Sequence, residues 1–216
     1  MSLRLGILHH MTLAATEPLP PRAAYTDEPI FRLTVDQYHE LIRSGKLTDD
    51  DPVELLEGIL VFKMPKKTPH ATATRMARRA IEPLLPQGWF YDSQEPMTLG
   101  DGEPEPDGVV VRGQIEDYAA AHPGPRDVAV VIEVADTSLE RDRGIKLRSY
   151  ARAGIAVYLI INLVERQIEL FTEPDSAAQP QPTYRQRQVI RTGVVSLNLP
   201  GVEVKHVSVN ELLAPL

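Results

Sequence analysis

The chain contains no cysteine, which removes disulfides, thiolate metal sites and cysteine nucleophiles together. Any chemistry has to come from oxygen and nitrogen ligands, and the absence fits a reducing compartment. No apolar run approaches the roughly 20 residues a membrane helix needs. The longest, VAVVIEV at 128–134, carries a carboxylate within it, so no membrane span is expected. The first residues, MSLRLGILHHMTLAA, hold one Arg and an apolar patch cut by His9 and His10, a poor match to a secretory signal. A cytoplasmic protein is the expectation. No GxSxG, Walker loop, HExxH or CxxC occurs, so the familiar hydrolase, nucleotide and zinc signatures are missing as well.

What is present describes a globular protein. The 216 residues are 43% hydrophobic and 25% charged, a length and balance that suit one domain with a sizeable core. The net charge of −7 argues against an indiscriminate coat for nucleic acid, but charge is unevenly placed. Nine acids face three bases between Asp27 and Glu57, whereas residues 58–81 carry six bases and no acid.

Residues 1–30, with four prolines, read as an irregular arm, and 31–216 as a single domain with its core at about 53–175. Thr34 and Gln37 form a capping box for a short helix that Gly45 ends. VELLEGILVFKM (53–64) reads as a hairpin turning at Glu57-Gly58. Thr68 as N-cap and Pro69 in the first turn open a helix to about Leu85, burying Ala73, Met76, Ala77, Ala80, Ile81 and Leu84. Strands are expected at 89–99, 107–113 and 127–134, the last apolar on both faces and therefore central. Residues 138–154 read as a helix stopped by Gly154, weakened early by Gly144. A strand pair (156–163 and 167–171), a proline-rich surface linker (172–183) and late strands across 184–204 follow, and Ser208 with Glu211 caps a final turn. The order implies an α/β or α+β architecture, a mixed sheet flanked by helices.

Asp107, in EPDGVVVRG, opens one strand, and Glu133 lies near the end of another. If the strands are neighbours, the two carboxylates converge, which requires a cation or a shared proton. Hard oxygen ligands of this kind suit Mg²⁺ or Mn²⁺. Lys146 lies thirteen residues beyond Glu133 on the next helix, with Tyr150 a turn further on the same face. Each has a plainer reading. Asp107 after a proline also suits a turn, and Lys146 a solvated helix. Glu133 is the hardest to dismiss, because a carboxylate inside VAVVIEVA costs several kcal/mol to bury unless paired or metal-bound. Glu54 and Glu57 could add a ligand, though Glu57 beside Gly58 is more simply a turn residue. His70 is more simply a surface histidine than a phosphate contact. Lys63, Lys66, Lys67, Arg75, Arg78 and Arg79 form either a solvated face or a surface that tracks a phosphate backbone.

Five segments in order, VELLEGILV, TPHATATRMARRAIEPLL, EPDGVVVRG, VIEVADTS and DRGIKLRSYARAGIAVYLIIN, resemble the Uma2 family over about residues 31–175. That family is assigned to nucleases built on the PD-(D/E)XK core of restriction endonucleases. The resemblance implies that Asp107 and Glu133, with the backbone carbonyl of Val134, hold Mg²⁺ or Mn²⁺. The motif's lysine position, two residues after Glu133, is Ala135 here, and the family pattern implies that Lys146 supplies the ammonium. Tyr150 and Glu57 would be accessory. The resemblance also implies DNA as partner, contacted by Lys66, Lys67, His70, Arg75, Arg78 and Arg79, and a dimer to cut both strands. A nuclease fold without turnover, and a hydrolase of small phosphate esters, are the rival expectations.

Overall fold

A computed structural model of the protein describes residues 29–48, 50–197 and 204–213. The expected arm, with His9 and His10, lies outside the described residues except for its last two positions. The elements run α1 (Val35–Arg43), β1 (Val53–Leu56), β2 (Ile59–Phe62), α2 (Thr68–Ile81), β3 (Trp89–Asp92), β4 (Gly108–Arg112), β5 (Val128–Ala135) and α3 (Leu139–Arg141). A π-helical turn (Asp142–Lys146) leads into α4 (Leu147–Ala153), then β6 (Val157–Asn162), β7 (Gln167–Asp175), β8 (Thr183–Ile190), β9 (Val194–Leu197), β10 (Lys205–Ser208) and α5 (Val209–Leu212).

Local chemistry sets several of these boundaries. Thr34 and Gln37 close the capping box of α1 reciprocally, and Glu57 and Gly58 both take positive φ, 49° and 75°, which joins β1 to β2 as a type I′ hairpin does. The start of α2 differs from the sequence expectation. Lys67 is the N-cap and Thr68 already helical, because the Ala71 amide closes on the Lys67 carbonyl at 3.0 Å. No side chain caps this end. The strand expected at 89–99 stops at Asp92, since Gln94 turns the chain with φ +64° and its amide donates to the Pro106 carbonyl at 3.0 Å.

Six strands form one mixed sheet in the order β3-β4-β5-β6-β7-β8. Only β5 and β6 run parallel, and the helical crossover between them is what a parallel pair requires. All eight residues of β5 are buried. Its side chains alternate between two apolar layers. Val130, Ile132 and Val134 pack with Ala73, Ala77 and Ile81 of α2, and with Val195, Val207 and Leu212 from the end of the chain. Val131 and Ala135 pack on the opposite side with Leu147, Tyr150 and Ala151 of α4. The β9-β10 hairpin and α5 therefore complete the α2 layer. The VEV segment read as a strand lies mostly outside the described residues; the described strand is β10.

The proline-rich linker is shorter than expected, because β7 continues through Pro174 to Asp175 and pairs with β8. Pro174 is tolerated since β6 begins opposite Thr172 and does not reach it, so no neighbour on that side needs its missing N–H.

Glu169 on β7 is fully buried and binds Arg143 (2.6 Å), Arg187 (2.8 Å) and Asn162 (2.8 Å). Arg143 belongs to the π-turn, so this carboxylate ties the crossover to the far half of the sheet. Burial alone would raise the Glu169 carboxyl, but these partners hold it down at about 2. A depressed carboxylate contributes stability above its ordinary value, and that contribution is lost as pH falls through the folded one. Glu169→Gln should cost on the order of 2 kcal/mol near neutral pH. The difference from wild type should shrink between about pH 4.5 and about pH 2, as urea denaturation at several pH values would show; a constant difference would refute the assignment.

Candidate active site

Where β4 begins and β5 ends, the sheet leaves a gap. β4 pairs with β5 only as far as Gly108 opposite Ile132, so residues 133–135 have no β4 neighbour. Asp107 fills that position with its side chain: Oδ2 accepts the Val134 N–H at 2.9 Å. A residue's N–H and C=O face the same edge of a strand, which turns the Val134 carbonyl toward this gap too. Gly108 is required next to Asp107, because a Cβ there would lie 1.9 Å from the buried Tyr91 hydroxyl.

Glu133 points to the α4 side, into the layer that holds Val131 and Ala135. Its Oε1 accepts from Lys146 Nζ at 2.8 Å and from the Tyr150 hydroxyl at 2.7 Å. Lys146 is also 3.5 Å from Glu54 Oε2, and Glu54 is held by the Glu105 amide at 3.1 Å and lies 3.7 Å from Arg141. Asp142 completes the group, 1% exposed, with the Ser138 hydroxyl donating to it at 2.6 Å. Asp142 and Lys146, four residues apart at the two ends of the π-turn, fall on one face of the helix and are both buried in one cleft.

Asp107, Glu133, Glu54 and Asp142 thus share a cleft with the Lys146 ammonium. Burial pushes the Glu133 carboxyl up; Lys146 opposes this, while Asp142, Asp107 and Glu54 add to the rise. Burial raises Asp142 as well, against the pull of Lys146 and Ser138. For Lys146 burial works the other way, yet Glu133, Glu54 and Asp142 hold the ammonium above its ordinary range. Glu133 and Asp142 rise first because they are buried, and Lys146 stays charged because carboxylates surround it. The cleft's internal space is about 60 Å³, enough for an ion and a few waters.

The residues present fit a divalent cation. Their donors are hard oxygens, the carboxylates of Asp107 and Glu133 at the end of β5 with Glu54 and Asp142 beside them. Among the described residues, no group of three or more His, Cys, Asp or Glu forms a ready cage. A hard ion here would be held by one or two carboxylates, with water or phosphate oxygens as its other ligands.

The structure brings Asp107, Glu133, Lys146, Lys66, Lys67 and His70 to one cleft, with Tyr150 behind it on Glu133. His70 is not the surface histidine expected; its Nε2 lies 3.1 Å from Asp107 Oδ2, and only 12% of the side chain is exposed. Lys67 sits on the rim, 3.7 Å from Asp136. Arg75 and Arg78 line a neighbouring cleft that shares Lys66, and Arg79 lines neither. Glu57 is not brought in. It bonds Arg148 at 3.1 Å and Arg152 at 3.0 Å, and although burial would raise its carboxyl, these guanidiniums hold it below its usual value. Glu54, three residues earlier, takes the accessory place. Asp142 was missed because the segment reads as an exposed helix start; its spacing of four from Lys146 was the available signal.

Lys146→Met strands Glu133, Glu54 and Asp142 without their ammonium, and a loss of about 3–5 kcal/mol is expected. Adding Glu133→Gln should recover part of it, as read from urea midpoints. A single variant as stable as wild type would show that Lys146 does not balance the pocket.

Residues 35–203 match the Uma2 family, described as "Putative restriction endonuclease". Among solved structures the chain is similar to "a putative nuclease belonging to DUF820" from Anabaena variabilis ATCC 29413. The TM-score is 0.62 at 16% identity, over 84% of this chain and 97% of that one, a likeness of fold. A comparison with curated proteins gave no match. The family match spans all elements from α1 to β9, and the chain belongs to the Uma2 family of restriction endonuclease-like proteins.

Proposed function

We propose that the protein is a divalent-metal-dependent endonuclease that hydrolyses DNA phosphodiester bonds. The observation that carries this reading is the cleft at the end of β5, where the carboxylates of Asp107, Glu133, Glu54 and Asp142 gather around the buried Lys146, with Arg141, His70 and the lysines of the rim beside them. Clustered carboxylate oxygens of this kind suit a hard divalent ion, and the lysines of the rim suit a phosphodiester.

On this reading Asp107, Glu133 and the Val134 carbonyl hold Mg²⁺ or Mn²⁺, which supplies charge neutralisation at phosphate and a more acidic water when bound. The chain's own groups orient the parts. The Val134 amide fixes the Asp107 carboxylate, and the Tyr150 hydroxyl fixes Glu133. Lys146 keeps its proton because Glu133, Glu54 and Asp142 surround it, so it offers positive charge to the phosphoryl oxygens as negative charge develops there. It thereby substitutes for the motif lysine that Ala135 lacks. Lys66 and Lys67 on the rim would meet the DNA backbone, working in the cytoplasm, with two chains pairing to cut two strands.

Against the small-ester reading stand Lys63, Lys66 and Lys67 along the cleft, cations that a compact ester would not need. A nuclease fold without turnover is the remaining rival. The discriminating experiment is cleavage of supercoiled plasmid and single-stranded DNA with Mg²⁺ or Mn²⁺. Wild type should cut, EDTA should abolish cutting, and Asp107→Asn, Glu133→Gln and Lys146→Met should each lower the rate at least about a hundredfold. No cutting by folded wild-type protein on either substrate would overturn the proposal.

A further inference from the structure

Beside the carboxylate cleft lies a second one of opposite character. Lys66, Thr74, Arg75, Arg78, Ser93 and Gln94 line it, with no acidic residue among its walls. Its chemistry follows from the placement of α2. The inward stripe Ala73, Ala77 and Ile81 fixes the helix on the sheet, and the three-residue spacing of Arg75 and Arg78 sets them one turn apart on the outer side. Lys66 belongs to both clefts.

The far wall is joined to the carboxylate strand. The Ser93 hydroxyl donates to the Asp107 carbonyl at 2.7 Å, and the Gln94 amide to the Pro106 carbonyl at 3.0 Å. Arg78 is held in place by the Tyr91 carbonyl at 3.1 Å and by the Tyr91 ring, 5.8 Å from its guanidinium carbon. Its Nε lies 3.6 Å from Glu82, outside the cleft. Among the described residues, Lys66 and Arg75 have no ion-pair partner. In a chain with 30 acids against 23 bases, cations facing an acid-free cleft, with no carboxylate on either of these two, are set for an anion that comes from outside.

We propose that this second cleft is a phosphate subsite, built to hold a nucleic-acid backbone phosphate flanking the one at the carboxylates. The proposal deepens the nuclease reading and rests on it for the identity of the ligand. It commits the substrate to a polynucleotide, since a lone phosphodiester has no second phosphate to offer. It also divides the basic residues of α2, because Arg79 lines neither cleft and takes no part.

The test is fluorescence anisotropy of a fluorescein-labelled DNA duplex titrated with the full chain in EDTA over a series of salt concentrations. Each phosphate neutralised contributes about 0.9 to the slope of log K against log salt. Arg75→Ala and Lys66→Ala should each weaken binding several-fold and flatten the slope by about 0.9. Arg75→Lys should keep the slope and Arg79→Ala should leave it at the wild-type value. Both arginines are exposed, so truncation removes no buried contact, and circular dichroism confirms the fold. An unchanged slope for Arg75→Ala, an equal drop for Arg79→Ala, or no binding at all would overturn the subsite. Because no metal is present, the expected slopes without cleavage elsewhere would sink the nuclease reading alone, and cleavage with flat, unaltered slopes would sink the subsite alone.

Discussion

Glu133 occupies a strand whose eight residues are all buried, and much of the structure around it answers the demand that its charge be met. A carboxylate removed from water costs several kcal/mol unless a cation and hydrogen bonds compensate. Here the compensation comes from across the layer, through Lys146 and Tyr150. But the lysine is itself buried, and its own partners Glu54 and Asp142 are carboxylates. Arg141, 3.7 Å from Glu54, shares in the compensation, so these acids and bases form one network in which removing a member leaves another buried charge unmet.

That arrangement depends on helical geometry that is itself held from a distance. Asp142 and Lys146 sit at the two ends of a π-turn, a form that occurs mostly as single interruptions near functional sites. Gly144 in its middle has no neighbour within 4 Å of a Cβ position, so no steric close approach requires a glycine there. The restraint comes instead from Arg143, which points away from the cleft to Glu165 and Glu169. The Tyr158 hydroxyl adds a bond to the Asp142 carbonyl at 3.0 Å. The turn that loads the cleft is thus clamped on its other side to β6 and β7.

The sheet and its helices were legible because their signals are strong. β5 reads as central from VAVVIEV, and α2 from its alanine and isoleucine spacing. Capping boxes at Thr34 and Ser208 mark their helices correctly. What could not be read was determined by partners far along the chain. Nothing near Glu57 announces Arg148 and Arg152, and nothing near His70 announces that it meets Asp107. Likewise the π-turn leaves only a glycine as its trace, which weakens a helix without saying what replaces it. Pairs of acids and bases many tens of residues apart carry no periodicity, so they become visible only once the sheet sets the distances.

Ala135 shows how the motif's departure is compatible with the fold. Two residues beyond Glu133, it points to the same side of β5, and it is fully buried against the layer of Leu147, Tyr150 and Ala151. A lysine there would have to thread its stem through the space that α4 occupies. With alanine, α4 packs down on the strand, and Lys146 at its start reaches Glu133 from the helix side. The small residue and the buried lysine are in that sense one feature: close packing of helix on strand is what brings Lys146 within 2.8 Å of Glu133.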